Sequence, residues 1–561
     1  MLEIHIHDRN YEKWSITGIE DYKDIVINPL ENKLFHKDIL DENGIIIINS
    51  PYRLSNSITG VLVLDGKTYG RTSGNNSKLL YKCIPNEKCL PMFLVPYDYN
   101  NRVFNKKKIN KYITFKIKEW VDKHPIAIIV ETLGDVESED AYYKYQLCCK
   151  QLTSSIASFT KATLDSLKQF NRENISTQIM NQQGTIEDRR NKEVFSIDPL
   201  NSKDFDDAIG ITTIDNDSSI ISIYIANVPL VIDYLQLWDH FSERIATIYL
   251  PNGKRPMLPL VLTDDLCSLM ENNDRLAYSM DLCVTNGVIV SCSFKSVIIN
   301  VTKNYIYEEA SLIENKIYKN LLQITKTLND KYRFVTTVTD SHTLIEFYMI
   351  LTNFESSKIL VERNTGIFRY TNVLDTDKGN EADDILFSLL SPEIKNTLCN
   401  IHTISGSYCS IENLAPHKLI GHGLSSYSQV TSPIRRLVDL VNLIELQKEL
   451  LTSNAVIFSK RILNNISYID QTTKNIRKVQ TKCNLLSYYL NTNQKEYFGI
   501  VFNKTIYKER AYKYAIYMPQ IKQLSTVKSD KDLANYSKVT VSTYYFVDED
   551  NLSKKIRLTI C

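Results

Sequence analysis

No two cysteines in this 561-residue chain have the CxxC spacing of a zinc ribbon, although the chain contains eleven. The closest are the adjacent Cys148 and Cys149, and Cys83 and Cys89 with five residues between them. Zinc ligation and a disulfide framework both fit that spacing poorly, which predicts reduced thiols inside a cell. No uninterrupted apolar run approaches the roughly 18 residues of a membrane span. The N-terminal MLEIHIHDRNYEKW carries no basic-then-apolar leader. The expectation is a soluble, cytoplasmic protein that touches no membrane. Net charge is scarce too: 66 Lys and Arg offset 65 Asp and Glu, leaving +1. Bulk charge therefore does not announce a nucleic-acid partner, and any basic track has to be local. Internal repeats, low-complexity tracts and Pro-rich linkers are missing as well. What remains is a length that suits two to four domains and a hydrophobic content of 43%, ample for real cores.

The most informative stretch is FSIDPLNSKDFDDAIG, from Phe195 to Gly210. It places Asp198, Asp204, Asp206 and Asp207 within ten positions, between strand-like apolar segments. Clustered carboxylates next to apolar strands are costly unless something positive pairs with them, and Lys203 is the only cation in the stretch. Two readings fit: a solvated acidic loop, or a cage of hard oxygen ligands for Mg²⁺, Mn²⁺ or Ca²⁺. An EF-hand beginning at Asp204 fails, because its sixth position is Ile209 rather than glycine and its twelfth is Asp215 rather than glutamate. Pro199 forces a turn after the first Asp, and Phe205 separates Asp204 from the Asp206–Asp207 pair.

The pattern Ile-Asp-Pro, a short spacer, then Asp-Phe-Asp-Asp-Ala, unbroken from Ile197 to Ala208, resembles the ribonuclease II and ribonuclease R family, which includes the catalytic subunit of the eukaryotic exosome. Other motifs agree with it. The segment 248–269, IYLPNGKRPMLPLVLTDDLCSL, is similar to the family's Tyr-Leu-Pro, Pro-Met-Leu-Pro and Leu-Cys-Ser-Leu run. By the resemblance Tyr249 clamps an RNA 3′ end; as plain sequence it is equally a tyrosine on a loop rim. In LIEFYMILTNFESSKIL, Leu344 to Leu360, Glu346, Met349 or Ile350, and Asn353 share one helical face. The resemblance aims that face at an RNA channel, with Glu346 and Asn353 as RNA contacts. Phe368, in GIFR, is a second stacking candidate by resemblance, with core packing as the other reading.

In YSQVTSPIRRLVDLVNLIEL, Tyr427 to Leu446, the residues Leu437, Leu440, Val441 and Ile444 predict a helix with one buried stripe. Ser432 is then the N-cap, Pro433 the first helical residue, and Arg435 and Arg436 lie in the first turn. Cations there oppose the helix dipole by about 0.3–1 kcal/mol each, which reads as a phosphate-binding terminus. Pairing of either arginine with Asp439 is the alternative. The same Thr-Ser-Pro-Ile-Arg-Arg signature in the family implies an arginine acting at the active site, Arg435 by position, with Ser432 and Arg436 as RNA contacts. PHKLIGHGL, 416–424, is a degraded form of the family's Pro-His-x-x-Leu-Gly-Leu.

The predicted fold class is α+β and multidomain. Short strands with turn signals in the first 135 or so residues suggest small OB-type barrels. The resemblance divides them into a shortened cold-shock-like domain at 1–54 and a second at 55–137. A helical connector at 138–190 precedes an RNB catalytic domain at 191–492, and the alternating strands of 493–561 suit a reduced C-terminal OB domain. Basic and aromatic residues interleave from Arg102 to Trp120, the composition either of a single-strand binding surface or of a half-buried strand with a lysine face.

The resemblance implies a processive 3′-to-5′ exoribonuclease, acting as a monomer, that degrades single-stranded RNA to nucleoside 5′-monophosphates with two Mg²⁺ or Mn²⁺ ions. Asp198, Asp204, Asp206 and Asp207 are the expected metal ligands, and Asp206 with Arg435 the expected catalytic pair. Two rivals stand beside this: a catalytically silent RNA-binding homologue, and another metal-dependent phosphodiesterase such as a deoxyribonuclease.

Overall fold

The computed structural model describes residues 1–18, 27–41, 44, 46–72, 77–98, 108–170, 175–215, 217–371, 381–391, 393–395, 397–398, 406–419, 422–492, 494–508, 511–550 and 552–561. Its second region is a closed barrel of Ile58–Leu62, Leu79–Pro85, Phe93–Tyr97, Lys111–Glu119 and Ile126–Asp135. The first strand pairs with both the second and the fourth, and Leu94 lies opposite Ile126 in a parallel third-to-fifth pairing, which is OB connectivity. Gly60 lets the barrel close, since a Cβ there would sit 2.9 Å from the Ile84 carbonyl oxygen.

Ahead of the barrel, Trp14–Thr17, Leu2–Ile6, Ile39–Leu40 and Ile47–Asn49 form an open antiparallel sheet in that order. Its Ile4, Phe35 and Leu40 share one core with Ile58, Phe93 and Phe115 of the barrel. The basic tract from Arg102 lies partly outside the described residues. Its described part is a barrel wall, with Tyr112, Ile113 and Phe115 buried and Lys116 and Lys118 outward. Three helices, Glu139–Cys148, Ala157–Leu167 and Ile175–Gln183, lead to the central region.

The central sheet has seven strands, in the order Glu187–Asp188, Val288–Asn300, Asp274–Thr285, Ser218–Ala226, Asp207–Thr213, Phe195–Asp198 and Lys303–Ile306. It is antiparallel except at its two edge pairings. The two-residue period of a strand divides its apolar side chains between two cores. Ile221, Ile223 and Ile225 enter one core, Tyr224 and Ala226 the other. Helices Lys316–Tyr332 and Ser341–Glu362 cover the first face; Val228–Tyr234, Ser453–Leu463 and Ile466–Asn491 cover the second. The last two are separated at Asn464 and Asn465.

Helix Leu437–Leu446 corrects the one-stripe expectation, because all ten of its residues are buried. Leu440, Val441 and Ile444 join one core while Leu443 and Leu446 join the other. Two of its polar residues bond within the protein: Asn442 accepts from Ile367 N at 2.8 Å, and Glu445 accepts from Thr365 Oγ1 at 2.9 Å.

At the C-terminus, Gln523–Ser529, Ala511–Met518, Glu496–Lys508, Lys538–Val547 and Lys554–Ile560 form a sheet in that order, the OB arrangement again, around Tyr514, Ile516, Val527 and Val541. Every cysteine among the described residues is a free thiol. Among those residues no helix is long and apolar enough to cross a membrane.

Candidate active site

Strand Phe195–Asp198 stops at Pro199, and Asn201 takes a left-handed conformation with φ of 69°. The chain thereby turns back into Asp207–Thr213. The loop between is pinned from a distance. Ser268 Oγ donates to the Lys203 carbonyl at 2.8 Å and accepts from Phe205 N at 3.0 Å, while Leu269 N donates to the Phe205 carbonyl at 3.0 Å. Ala226 N, on the neighbouring strand, donates to the Asp206 carbonyl at 2.8 Å. As a result all four aspartates line one cavity of about 760 Å³, together with Tyr249, Lys254, Asp264 and Arg435.

Each carboxylate there has a different environment. Asp206 is 2% exposed; it accepts from Ile434 N at 2.9 Å and from Arg435 Nε at 2.9 Å. Burial pushes its carboxyl up to about 6 even though the Arg435 guanidinium pulls the other way. Asp204 accepts from Lys254 Nζ and from the Tyr249 hydroxyl, both at 3.2 Å, and Lys254 also reaches Asp264 at 2.9 Å. Asp198 and Asp207 are likewise pushed up, by burial first and then by the neighbouring carboxylates. Asp198 Oδ2 is buried with no hydrogen-bond partner. Among the described residues, no ion pair reaches Asp198 or Asp207.

This is a site short of positive charge, with an all-oxygen donor set and an orphaned buried carboxylate oxygen. Those features fit a hard divalent cation held by Asp198 and Asp207, with Asp204 and Asp206 completing the set. Among the described residues, however, no three His, Cys, Asp or Glu side chains have already converged into a metal cage. The reason is local: Lys254 and Arg435 hold the carboxylates of Asp204 and Asp206. A cation entering the cavity would compete with Lys254 for Asp204.

Arg435 is thus next to the acidic cluster, but by a different construction from the one the sequence suggested. The helix begins at Leu437, and Arg436 precedes it with extended backbone, φ −135° and ψ 125°. Residues 435–437 pair with 245–247 instead: Ala246 bridges Arg436, Leu437 N donates to the Ile245 carbonyl at 2.8 Å, and Thr247 N donates to the Arg435 carbonyl at 2.9 Å. That pairing pulls both arginines out of the helix. Ser432 is therefore no N-cap and Pro433 no first helical residue; buried Ser432 accepts from Arg435 Nη2 at 3.0 Å and fixes the guanidinium. The phosphate-binding helix terminus falls with it. Arg436 donates to buried Asp439 at 2.6 Å, the alternative weighed above.

The remaining candidates divide. Tyr249 is 41% exposed on the cavity rim. Glu346 lies one helical turn past His342, whose ring stacks on Tyr307 at 3.7 Å. Tyr307 in turn senses Asp207, Asp198 and Glu346. Asn353 is not brought to the cavity: it is 4% exposed, donates to the Tyr427 hydroxyl at 3.1 Å and accepts from Val430 N at 2.8 Å. Phe368 is fully buried in the core. Lys254, Ser268 and Tyr307 are site residues that sequence reasoning missed; the first two stand inside the 248–269 segment already singled out, which was the available signal.

An RNB domain family model matches residues 186–334, the segment that carries the acidic loop and all seven strands of the central sheet. That segment is an RNB domain by this match, and the chain is similar to proteins of the ribonuclease R type. Among its relatives, Ribonuclease R of Chlamydia pneumoniae is 28% identical over 314 residues, covering 52% of this chain and 44% of the relative. The chain spans about half the length of the curated relatives it matches. Solved structures share the fold, two of them as follows. The apo form of Mycoplasma genitalium RNase R superposes with a TM-score of 0.67 at 16% identity, covering 100% of both chains. Yeast Ssd1, described as a pseudonuclease, gives 0.55 at 12% identity, covering 89% of this chain and 69% of the other.

Proposed function

We propose that the chain is a processive 3′-to-5′ exoribonuclease that hydrolyses single-stranded RNA to nucleoside 5′-monophosphates. Asp198, Asp204, Asp206 and Asp207 hold two divalent ions, Mg²⁺ or Mn²⁺. The observation that carries the reading is the Asp206–Arg435 pair at 2.9 Å inside a cavity lined by all four aspartates. When bound, the ions supply Lewis acidity toward the phosphate and the attacking water. Water adds to phosphorus, the P–O3′ bond breaks, and the proton ends on the 3′-hydroxyl of the shortened RNA. Asp206 holds Arg435, and the part of the guanidinium exposed in the cavity stabilises charge on the scissile phosphate. The Tyr249 ring at the rim stacks on a terminal base, a contact of about 1–3 kcal/mol. The OB-type regions on either side contribute phosphate contacts, giving a salt-dependent affinity.

A second reading, an RNA-binding protein without catalysis, is favoured by the Lys254 ammonium lodged between Asp204 and Asp264. One experiment decides between them. A 5′-labelled single-stranded RNA and its DNA counterpart are incubated with the chain and Mg²⁺, with and without EDTA. Shortening of RNA alone from its 3′ end, abolished by EDTA and by Asp206→Asn with RNA binding retained, upholds the exonuclease. RNA binding with no shortening at any Mg²⁺ or Mn²⁺ concentration overturns it.

A further inference from the structure

Behind Tyr249 and Arg435 lies a second, smaller cavity of about 190 Å³. Both residues line it as well as the carboxylate cavity, so they form the partition between the two. Three more guanidinium groups enter from the far side. Arg369 comes from strand Ile367–Tyr370, Arg436 from just before helix Leu437–Leu446, and Arg477 from helix Ile466–Asn491. One wall of the partition is therefore rich in carboxylates and the other in guanidinium groups.

The arginines are crowded together around this cavity. Arg436 spends Nη2 on Asp439, and its Nε is buried without a hydrogen-bond partner. With its side-chain amide turned, Gln429 accepts from Arg369 Nη1 at 3.1 Å and Arg436 Nη1 at 2.9 Å, tying two of the cations together. Arg477 is held below its usual range, by burial first and then by the nearby Arg369, with Arg436 adding to the effect. Guanidinium groups offer paired N–H donors that match phosphate oxygens, so a cluster of them around a small cavity is chemically an oxyanion receptor. The volume is below the roughly 300–1,000 Å³ of pockets that take a whole drug-sized ligand, which limits the occupant to one anionic group.

Resting on the exonuclease reading above, we infer that this cavity takes the 5′-phosphomonoester of the released nucleotide. Hydrolysis turns a diester of charge about −1 into a monoester of about −1.5 to −2 at neutral pH. The four carboxylates repel that added charge while the guanidinium groups across the partition attract it. Drawing the phosphomonoester group past Tyr249 and Arg435 vacates the position where the next phosphodiester must sit.

The test is equilibrium binding to the full chain in EDTA, without RNA, using AMP, adenosine and inorganic phosphate as probes. AMP and phosphate are expected to compete with each other, and adenosine to bind at least about tenfold more weakly than AMP, because it lacks the charged contacts. Arg477→Gln weakens AMP by about tenfold or more, and Arg477→Lys restores part of the loss. Arg369→Gln repeats the test should Arg477→Gln fail to fold. Adenosine binding as tightly as AMP, wild type binding no AMP, or unchanged AMP affinity in the folded Gln variants overturns the site. Phosphate binding that AMP cannot displace overturns the nucleotide assignment in favour of free phosphate. AMP binding that depends on Arg477 in a chain that does not shorten RNA upholds the anion site and overturns the exonuclease reading alone.

Discussion

Titrating the metal-free protein from pH 4 to pH 7 tests the central electrostatic claim. The Asp206 carboxyl is held at about 6 in the folded chain, against 3.8 when exposed. The folded state therefore keeps a proton that the unfolded state has released. The stability this provides is fully present below 3.8 and is lost as pH rises through about 6. The gap is about two units, and at 1.36 kcal/mol per unit it amounts to about 3 kcal/mol. Asp206→Asn has nothing to titrate there. In urea unfolding with EDTA, wild type should lose about 3 kcal/mol relative to the variant across this range, and groups remote from Asp206 cancel in the difference. Asp198 and Asp207, pushed up by burial and in part by the Asp206 charge, steepen the fall more in wild type than in the variant, which adds to the difference in the same direction. Saturating Mg²⁺ should shrink the loss, because it binds the folded, ionised site and stabilises it by mass action. A difference that stays flat with pH, or that changes in the opposite direction, refutes the picture of a buried carboxylate short of counter-charge.

Three further outcomes are expected. His417 is buried with neither ring nitrogen hydrogen-bonded, and burial, aided by Arg369, lowers it from 6.5 to about 3. The unfolded state takes up this proton first, so stability should fall by up to about 1.4 kcal/mol per unit as pH drops below 6.5; His417→Leu should flatten that acid limb in the same unfolding series. Ser268→Ala strands the Phe205 N–H and the Lys203 carbonyl, which costs about 1–3 kcal/mol and loosens the acidic loop; unfolding and calorimetric Mg²⁺ titration should both weaken, and no change in either contradicts the pinning role. Tyr249→Ala should weaken single-stranded RNA binding in EDTA by about 1–3 kcal/mol while leaving Mg²⁺ affinity within a few-fold, as read by filter binding and calorimetry.

How much of this was legible in the sequence follows from the range of the interactions. The turn after Asp198 is local, set by Pro199, and the acidic residues converge on one cavity as their spacing suggested. What depends on partners 30 to 200 residues away was not readable. The helix predicted to start at Ser432 starts at Leu437 because 245–247 compete for the backbone of 435–437. Asn353 sits on the helical face expected, yet the Tyr427–Val430 segment lies across it and consumes its amide. Lys254 and Ser268 carry no local signature that would tell a carboxylate partner or a loop anchor from an ordinary surface lysine and serine.

Helix Leu437–Leu446 has no side facing water and lends side chains to both cores at once. Its amides have no route to solvent through fraying of one layer, so they should exchange hydrogen only when the whole central region opens. The loop that carries Arg435 is continuous with that helix. The guanidinium is consequently moored to the slowest-opening element of the molecule, and the Asp206 carboxylate, which accepts from both Ile434 N and Arg435 Nε, shares that mooring.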